Sequence, residues 1–138
     1  MMEDVVGLFK KFEKYENKST RQLENYLKPS IDLNQYRMFY DEHSIIGFVN
    51  WAYLHHLVQE RFKLTGKIKQ NEWNSGNNLW LIDILSIHNT FAMMRWVYNY
   101  FKKDFELFAA TSPSLLERGT FHAVDHIRDV LPGIIVKK

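Results

Sequence analysis

The chain lacks cysteine and has little glycine or proline, with six glycines and three prolines in 138 residues. Without a thiol, disulfide bonds, thiolate catalysis and cysteine-based zinc sites are excluded. The few glycines do not fall into any of the common phosphate-binding loop patterns. The composition therefore removes several classes of enzyme before any motif is considered.

Excess charge and long apolar runs are also missing. The formal net charge is +2, and the lysines and arginines are spread among acidic residues, so no nucleic-acid partner is predicted. No apolar run approaches the roughly 18 to 20 residues that span a bilayer, and the acidic start of the chain differs from a secretory signal. We expect a soluble cytoplasmic protein, or a virion component if a phage encodes it, with no membrane span.

The chain does contain 46% hydrophobic and 15% aromatic residues, which predicts one domain over residues 1–138 with a well-filled core. Apolar spacing near the N-terminus and a capping pattern at Ser19 and Gln22 predict two helices, the second stopped by Pro29. The polar "DEHS" inside "QYRMFYDEHSIIGFVNWAYL" predicts a β-hairpin. The remaining predicted elements are a helix within 52–64, a strand over 79–87, a helix capped by Asn89, a strand at "ELFAAT" and a helix over 112–131. This order predicts an α/β (α+β) fold, with a mixed central sheet flanked by helices.

Asp83 stands in the middle of the apolar strand predicted at 79–87. An ionised carboxylate without partners is strongly disfavoured away from water. It must therefore be hydrogen-bonded, lie at a cleft, or be held in its protonated form. Asp83 is the first candidate functional residue, and a purely structural carboxylate is the alternative.

Other polar patterns carry weaker predictions. His122 and His126 lie one helical turn apart, but no motif marks a third ligand, so no metal site is predicted. The tryptophans are not interleaved with a basic groove, which favours core packing over base stacking. Ser75 and Gly76 lack the flanking glycine of a nucleophile elbow and are interpreted first as turn residues.

Several blocks of sequence taken together resemble a known family. They are "NQYRMF" at 34–39, "VNWAYL" at 49–54 and "EWNSGNNLWLID" at 72–83. In this order and at these separations they are similar to the toxin-activating lysine acyltransferases, which fatty-acylate internal lysines of RTX protoxins. The resemblance covers about residues 15–105 and is looser in the last third of the chain.

The resemblance implies a fold similar to GNAT acetyltransferases, an acyl carrier protein thioester or acyl-CoA as donor, a lysine-bearing protein as acceptor, and no bound cofactor. It places the family's catalytic aspartate on Asp83. The family's catalytic histidine, counted back through Pro29, falls at or beside Tyr15, and no histidine precedes His43. His88, just past the predicted strand, is the candidate replacement. The signature also implies a set of substrate-binding residues: Trp51, Trp73, Ser75, Gly76 and Trp80.

Three functions remain open at this point. In the first, the chain is a protein-lysine acyltransferase in which Asp83 works with His88 or another base, because a lysine amine with a pKa of about 10.4 must lose a proton before it attacks a thioester. In the second, it is a catalytically inactive scaffold whose partners are protein subunits of a larger assembly such as a phage virion. In the third, Asp83 is structural and the cleft binds an unrelated ligand.

Overall fold

The computed structural model describes residues 1–101, 105–108 and 134–137. Within these ranges the helices are α1 (Met2–Phe9), α2 (Thr20–Asp32), α3 (His56–Thr65) and α4 (Thr90–Phe101). The strands are β1 (Tyr36–Tyr40), β2 (Ile45–Leu54), β3 (Asn78–Ser86), β4 (Phe105–Phe108) and β5 (Ile134–Lys137). One turn of 3₁₀ helix, Gln70–Glu72, precedes β3. No helix in this part of the chain has the length and apolar character needed to cross a membrane.

The first three strands form one antiparallel sheet in the order β1-β2-β3, and β4 pairs antiparallel with β5 in a second sheet. Helices and strands of this kind confirm the predicted α+β class. The one parallel pairing in the described ranges is an isolated bridge between Tyr53 and Asn74. The mixed central sheet, the GNAT-like arrangement and the single domain over 1–138 stay predictions.

Helix α2 begins where the sequence predicts. The Ser19 hydroxyl accepts a hydrogen bond from the Gln22 backbone N–H at 3.1 Å, and the Gln22 side-chain oxygen accepts one from the Ser19 N–H at 2.8 Å. This capping box satisfies two amide donors of the first helical turn. The predicted stop at Pro29 was wrong, because α2 continues to Asp32. A proline in the last turn removes a single hydrogen bond close to the helix end, where the chain leaves the helix in any case.

The three-stranded sheet is covered by helices on both faces. One face packs against α4 through the cluster Val49, Trp51, Leu79, Leu81, Ile84, Met93, Met94, Val97 and Phe101. The other face packs against α1 and α2 at one end and against α3 at the other. The α1 and α2 end contains Val5, Val6, Leu8, Phe9, Tyr15, Leu23, Leu27, Ile45, Phe48 and Leu85. The α3 end contains Ala52, Leu54, Phe62, Trp73, Trp80 and Ile82.

The predicted elements before residue 102 are confirmed with shifted bounds. The hairpin is β1 with β2, and the apolar strand is β3. The helix predicted within 52–64 starts later, at His56, because the preceding residues complete β2. The helix after Asn89 is α4, in which Met93 lies in the core and Phe91 is 61% exposed.

Beyond residue 101, the predicted elements can be compared with the structure only at residues 105–108 and 134–137. The strand predicted at "ELFAAT" is confirmed for Phe105–Phe108. The helix predicted over 112–131, with His122 and His126, lies outside the described residues.

Candidate active site

Asp83 lies at the centre of β3 with 2% of its surface exposed. Its partner across the sheet is Asn50 on β2. The Asn50 side-chain oxygen accepts a hydrogen bond from the Asp83 backbone N–H at 2.8 Å, and the Asn50 side-chain amide donates to the Ser30 hydroxyl at 3.4 Å. A second polar residue buried beside Asp83 therefore fixes the strand backbone at this position.

A β-bulge decides which way the Asp83 side chain faces. Asn50 pairs with Asp83, but the next pair along the ladder is Trp51 with Leu81, so β3 contains one residue more than β2 here. Strict alternation would place Asp83 on the same face as Leu81, under α4. The extra residue instead directs the carboxylate toward α1 and α2.

Two tyrosines occupy both oxygens of the Asp83 carboxylate. The Tyr15 hydroxyl, from the turns after α1, donates to Oδ1. The Tyr26 hydroxyl, from α2, donates to Oδ2 at 2.5 Å. Phe9 at the end of α1 packs against both rings, with its centroid 4.9 Å from Tyr15 and 6.4 Å from Tyr26. The carboxylate thus accepts two phenol hydrogen bonds inside an aromatic cluster.

The protonation of the tyrosines follows from their surroundings. Burial raises the pKa of Tyr15, and the nearby Asp83 charge and its hydrogen bond raise it further. Burial likewise raises the pKa of Tyr26 well above its ordinary range, and Asp83 adds to the effect. Both side chains therefore remain neutral phenols that donate to the carboxylate at physiological pH.

A cavity of about 370 Å³ adjoins these tyrosines. It is lined by Lys14, Tyr15, Lys18, Gln22, Leu23, Tyr26, Gly66 and Lys67. Because Asp83 is buried behind Tyr15 and Tyr26, a molecule in this cavity meets the phenol side chains before the carboxylate. Three of the lining residues are lysines and none is acidic, so the cavity offers positive charge to its occupant.

Comparison with known proteins identifies the family to which the chain belongs. The sequence profile of the RTX toxin acyltransferase family, HlyC, matches residues 1–112. The chain belongs to this family. A curated relative is the RTX-II toxin-activating lysine-acyltransferase ApxIIC of Actinobacillus pleuropneumoniae, which is 34% identical over 56 residues. That match covers 40% of this chain and 35% of the relative, so it spans about a third of the relative's length.

The structure brings Trp73 close to the Asp83 site. The Trp73 ring is buried and meets Tyr26 edge-on, with 6.3 Å between centroids. It also lines a second cavity of about 390 Å³, which continues along α2 past Pro29. Trp73 therefore contacts the tyrosine cluster on one side and lines this second cavity on the other, and its predicted substrate-binding role stays a prediction.

The other signature tryptophans pack in the core. Trp51 lies under α4, 5.1 Å from the Phe101 ring, on the sheet face opposite the Asp83 carboxylate. Trp80 packs against Phe62 at 5.2 Å, and its indole N–H donates to the Gln59 side-chain oxygen at 2.8 Å. Their contacts account for their burial, and a substrate-binding role for either stays a prediction.

Ser75 and Gly76 hold the loop before β3 against the end of β2. The Ser75 hydroxyl accepts a hydrogen bond from the His55 N–H at 3.0 Å, and the N–H groups of Ser75 and Gly76 both donate to the Tyr53 carbonyl. A Cβ atom at Gly76 would overlap the His55 backbone and lie 2.7 Å from the Leu54 carbonyl carbon. This geometry explains the pair as turn residues, and their substrate-binding role stays a prediction.

The structure does not bring His88 and Asp83 together. His88 lies two residues after the end of β3, and Asp83 lies three extended residues, about 10 Å, before that end. Its ring nitrogen lies 3.6 Å from the Asp41 carboxylate in the β1–β2 turn. Tyr15, at or beside which the resemblance places the family's histidine, does contact Asp83.

Sequence reasoning missed the tyrosine pair. Tyr15 was noted as the residue at the histidine position, but its contact with Asp83 was not predicted. Tyr26 was not singled out as a functional residue. The available signal was that a buried carboxylate needs hydrogen-bond donors, and a phenol on the core face of a neighbouring helix is such a donor.

Proposed function

We propose that this chain is a protein-lysine acyltransferase, which transfers an acyl group from a thioester donor to a lysine amine of a protein acceptor. Membership of the RTX toxin acyltransferase family supports the reaction class. The observation that carries the proposal is the hydrogen-bonded cluster of Tyr15, Asp83 and Tyr26 beside the lysine-lined cavity. It supplies a buried carboxylate and two phenol groups that can take part in proton transfer.

The proposed donor is an acyl carrier protein thioester, with acyl-CoA as the second donor class. Both carry the acyl group on a phosphopantetheine arm, whose phosphate is anionic. Lys18 and Lys67 line the cavity, and their charges suit such a phosphate. Acyl carrier protein is therefore the proposed partner, together with a lysine-bearing acceptor protein and without any bound cofactor. A GNAT-like single domain working in the cytoplasm completes the proposal.

The proposed chemistry uses Tyr15 as a proton relay. The acceptor amine attacks the thioester carbonyl carbon, and the nitrogen loses a proton as the carbon–nitrogen bond forms. The Tyr15 hydroxyl takes that proton while passing its own to Asp83, so no free phenolate forms, in agreement with the raised pKa of Tyr15. The carbon–sulfur bond then breaks, and the departing thiolate receives the proton from Asp83 back through the Tyr15 hydroxyl. Tyr26 keeps the second carboxylate oxygen in place.

A second candidate function is favoured by the burial of the same group. Asp83 is only 2% exposed and both of its oxygens already accept hydrogen bonds. A carboxylate in that condition also suits an inactive scaffold, where the cluster serves packing and the protein acts through contacts with other subunits of an assembly such as a virion. The two candidate functions differ in their predictions: the acyltransferase needs Asp83 for acyl transfer, whereas the scaffold transfers no acyl group.

The test is intact-protein mass spectrometry of a lysine-bearing acceptor mixture incubated with acyl carrier protein thioesters. The wild type should add an acyl mass to the acceptor, and Asp83→Asn should slow this by about 100-fold or more. Asp4→Asn, which changes an exposed carboxylate in the first turn of α1, should leave the rate unchanged. If the folded wild type transfers nothing from any donor, the scaffold is the correct account.

A further inference from the structure

Lys14 precedes Tyr15 and lines the same cavity as both tyrosines. Its side-chain nitrogen lies 5.2 Å from the centroid of the Tyr15 ring. The chain thus places one of its own lysine amines over the ring whose hydroxyl is proposed to receive the proton of the acceptor. Any thioester carbonyl that reaches Tyr15 from the cavity also comes within reach of this amine.

The surroundings of Lys14 increase the fraction of amine in the nucleophilic form. Partial burial lowers the pKa of Lys14, and the attraction of the Asp83 charge opposes this only in part. At neutral pH a larger share of this amine is therefore unprotonated than for an ordinary surface lysine. Lys18 and Lys67, which also line the cavity, serve as internal references for this reactivity.

We propose that Lys14 is itself an acyl acceptor, so that the protein modifies its own Lys14 side-chain nitrogen from an acyl thioester. The inference rests on the thioester chemistry of the proposed function, and it adds a covalent modification site to the chain. The Lys14 nitrogen bonds to the thioester carbonyl carbon, and the carbon–sulfur bond breaks. The proton lost by the nitrogen passes through Tyr15 to Asp83 and then back through Tyr15 to the departing thiolate. The products are an amide on Lys14 and a free thiol, with no oxidant or further reactant needed.

Proximity makes the internal reaction competitive with transfer to another protein. Lys14 is already held at the cavity, whereas an external lysine must first bind and lose translational freedom. The resulting amide has no charge, and its acyl chain occupies the cavity that the donor needs. Modification of Lys14 is therefore expected to slow transfer to external acceptors, which makes it a means of limiting the enzyme when acceptor is scarce.

The experiment incubates the full chain with acyl carrier protein thioester and no acceptor. Intact mass should rise by one acyl group, and peptide mapping should place it on Lys14 at a level at least about tenfold above Lys18 or Lys67. Lys14→Arg should abolish the mass increase. Lys63→Arg, which changes a lysine paired with Glu60 on α3, should retain it.

The outcomes separate this inference from the proposed function. Acylation of an external acceptor with Lys14 unmodified overturns the inference and leaves the function standing. Acyl groups spread over many lysines, or concentrated on Lys18, also overturn it. Modification of Lys14 without transfer to any acceptor supports the inference and removes the external acceptor from the function. If folded protein modifies neither Lys14 nor an acceptor, both proposals are wrong.

Discussion

Removal of the Tyr15 hydroxyl is the most informative perturbation of the cluster. Tyr15→Phe keeps the ring and its packing against Phe9 while deleting one of the two phenol donors to Asp83. Tyr15 is 6% exposed and Asp83 is 2% exposed, so water has little access to replace the lost donor. The variant therefore isolates a hydrogen bond to a buried carboxylate.

The expected magnitude follows from that burial. A hydrogen bond to a charged group contributes roughly 1.5 to 3 kcal/mol to stability, about twice the value for neutral pairs. One of the two donors to Asp83 remains in the variant, because Tyr26 still donates to the other oxygen. We therefore expect Tyr15→Phe to lower the free energy of unfolding by about 2 kcal/mol.

Urea denaturation followed by tryptophan fluorescence measures this free energy, and an unchanged slope shows that the same surface is exposed. Tyr40→Phe is the matched control, because Tyr40 is 52% exposed and its hydroxyl reaches only the Met38 sulfur. That control should change stability by less than about 0.5 kcal/mol. If Tyr15→Phe behaves like the control, the Tyr15 contact with Asp83 is not a stabilising hydrogen bond and the account of the cluster fails.

Two further predictions concern alkaline pH and the loop before β3. Burial raises the pKa values of Tyr15 and Tyr26 above the ordinary 10.0. Above pH 10 the folded state therefore retains protons that the unfolded state releases. The stabilisation of the folded state by these two protonated tyrosines is complete below pH 10 and declines as the pH rises above it. Unfolding followed by phenolate absorbance should show this decline, less steeply in Tyr15→Phe, and an equal slope in both proteins would refute it. Gly76→Ala should cost about 2 kcal/mol or more, because its Cβ overlaps the His55 backbone, whereas Gly7→Ala in α1 meets nothing within 4 Å and should stabilise by about 0.5 to 1 kcal/mol. Thermal unfolding compares the two, and equal melting temperatures would contradict the packing argument.

Local patterns in the sequence were enough to predict the elements around the site. The capping box at Ser19, the hairpin around the polar turn and the apolar strand of Asp83 each depend on residues a few positions apart. Burial of Asp83 also followed from its neighbours alone, since an apolar run of this length indicates a strand covered on both faces. These features are confirmed because propensity and burial agree at each of them.

The partners of Asp83 could not be predicted in the same way. Tyr15 and Tyr26 are 68 and 57 residues away from Asp83 along the chain, so no local period connects them. The bulge opposite Asn50 adds one residue to β3 and reverses the face on which Asp83 lies. In an apolar strand that is buried on both sides, a shift of one residue does not change the pattern of apolar residues in the sequence. The choice of His88 as partner followed from its position after the strand, without knowledge of that face.

The most direct measurement is the rate of thiol release from an acyl carrier protein thioester in the presence of a lysine-bearing acceptor, for the wild type and Tyr15→Phe. If Tyr15 relays the proton to Asp83, the folded variant should lose about 100-fold or more of the wild-type rate, while Tyr40→Phe retains it. A Tyr15→Phe protein that is destabilised yet transfers acyl groups at the wild-type rate would contradict the account, because the cluster would then be structural.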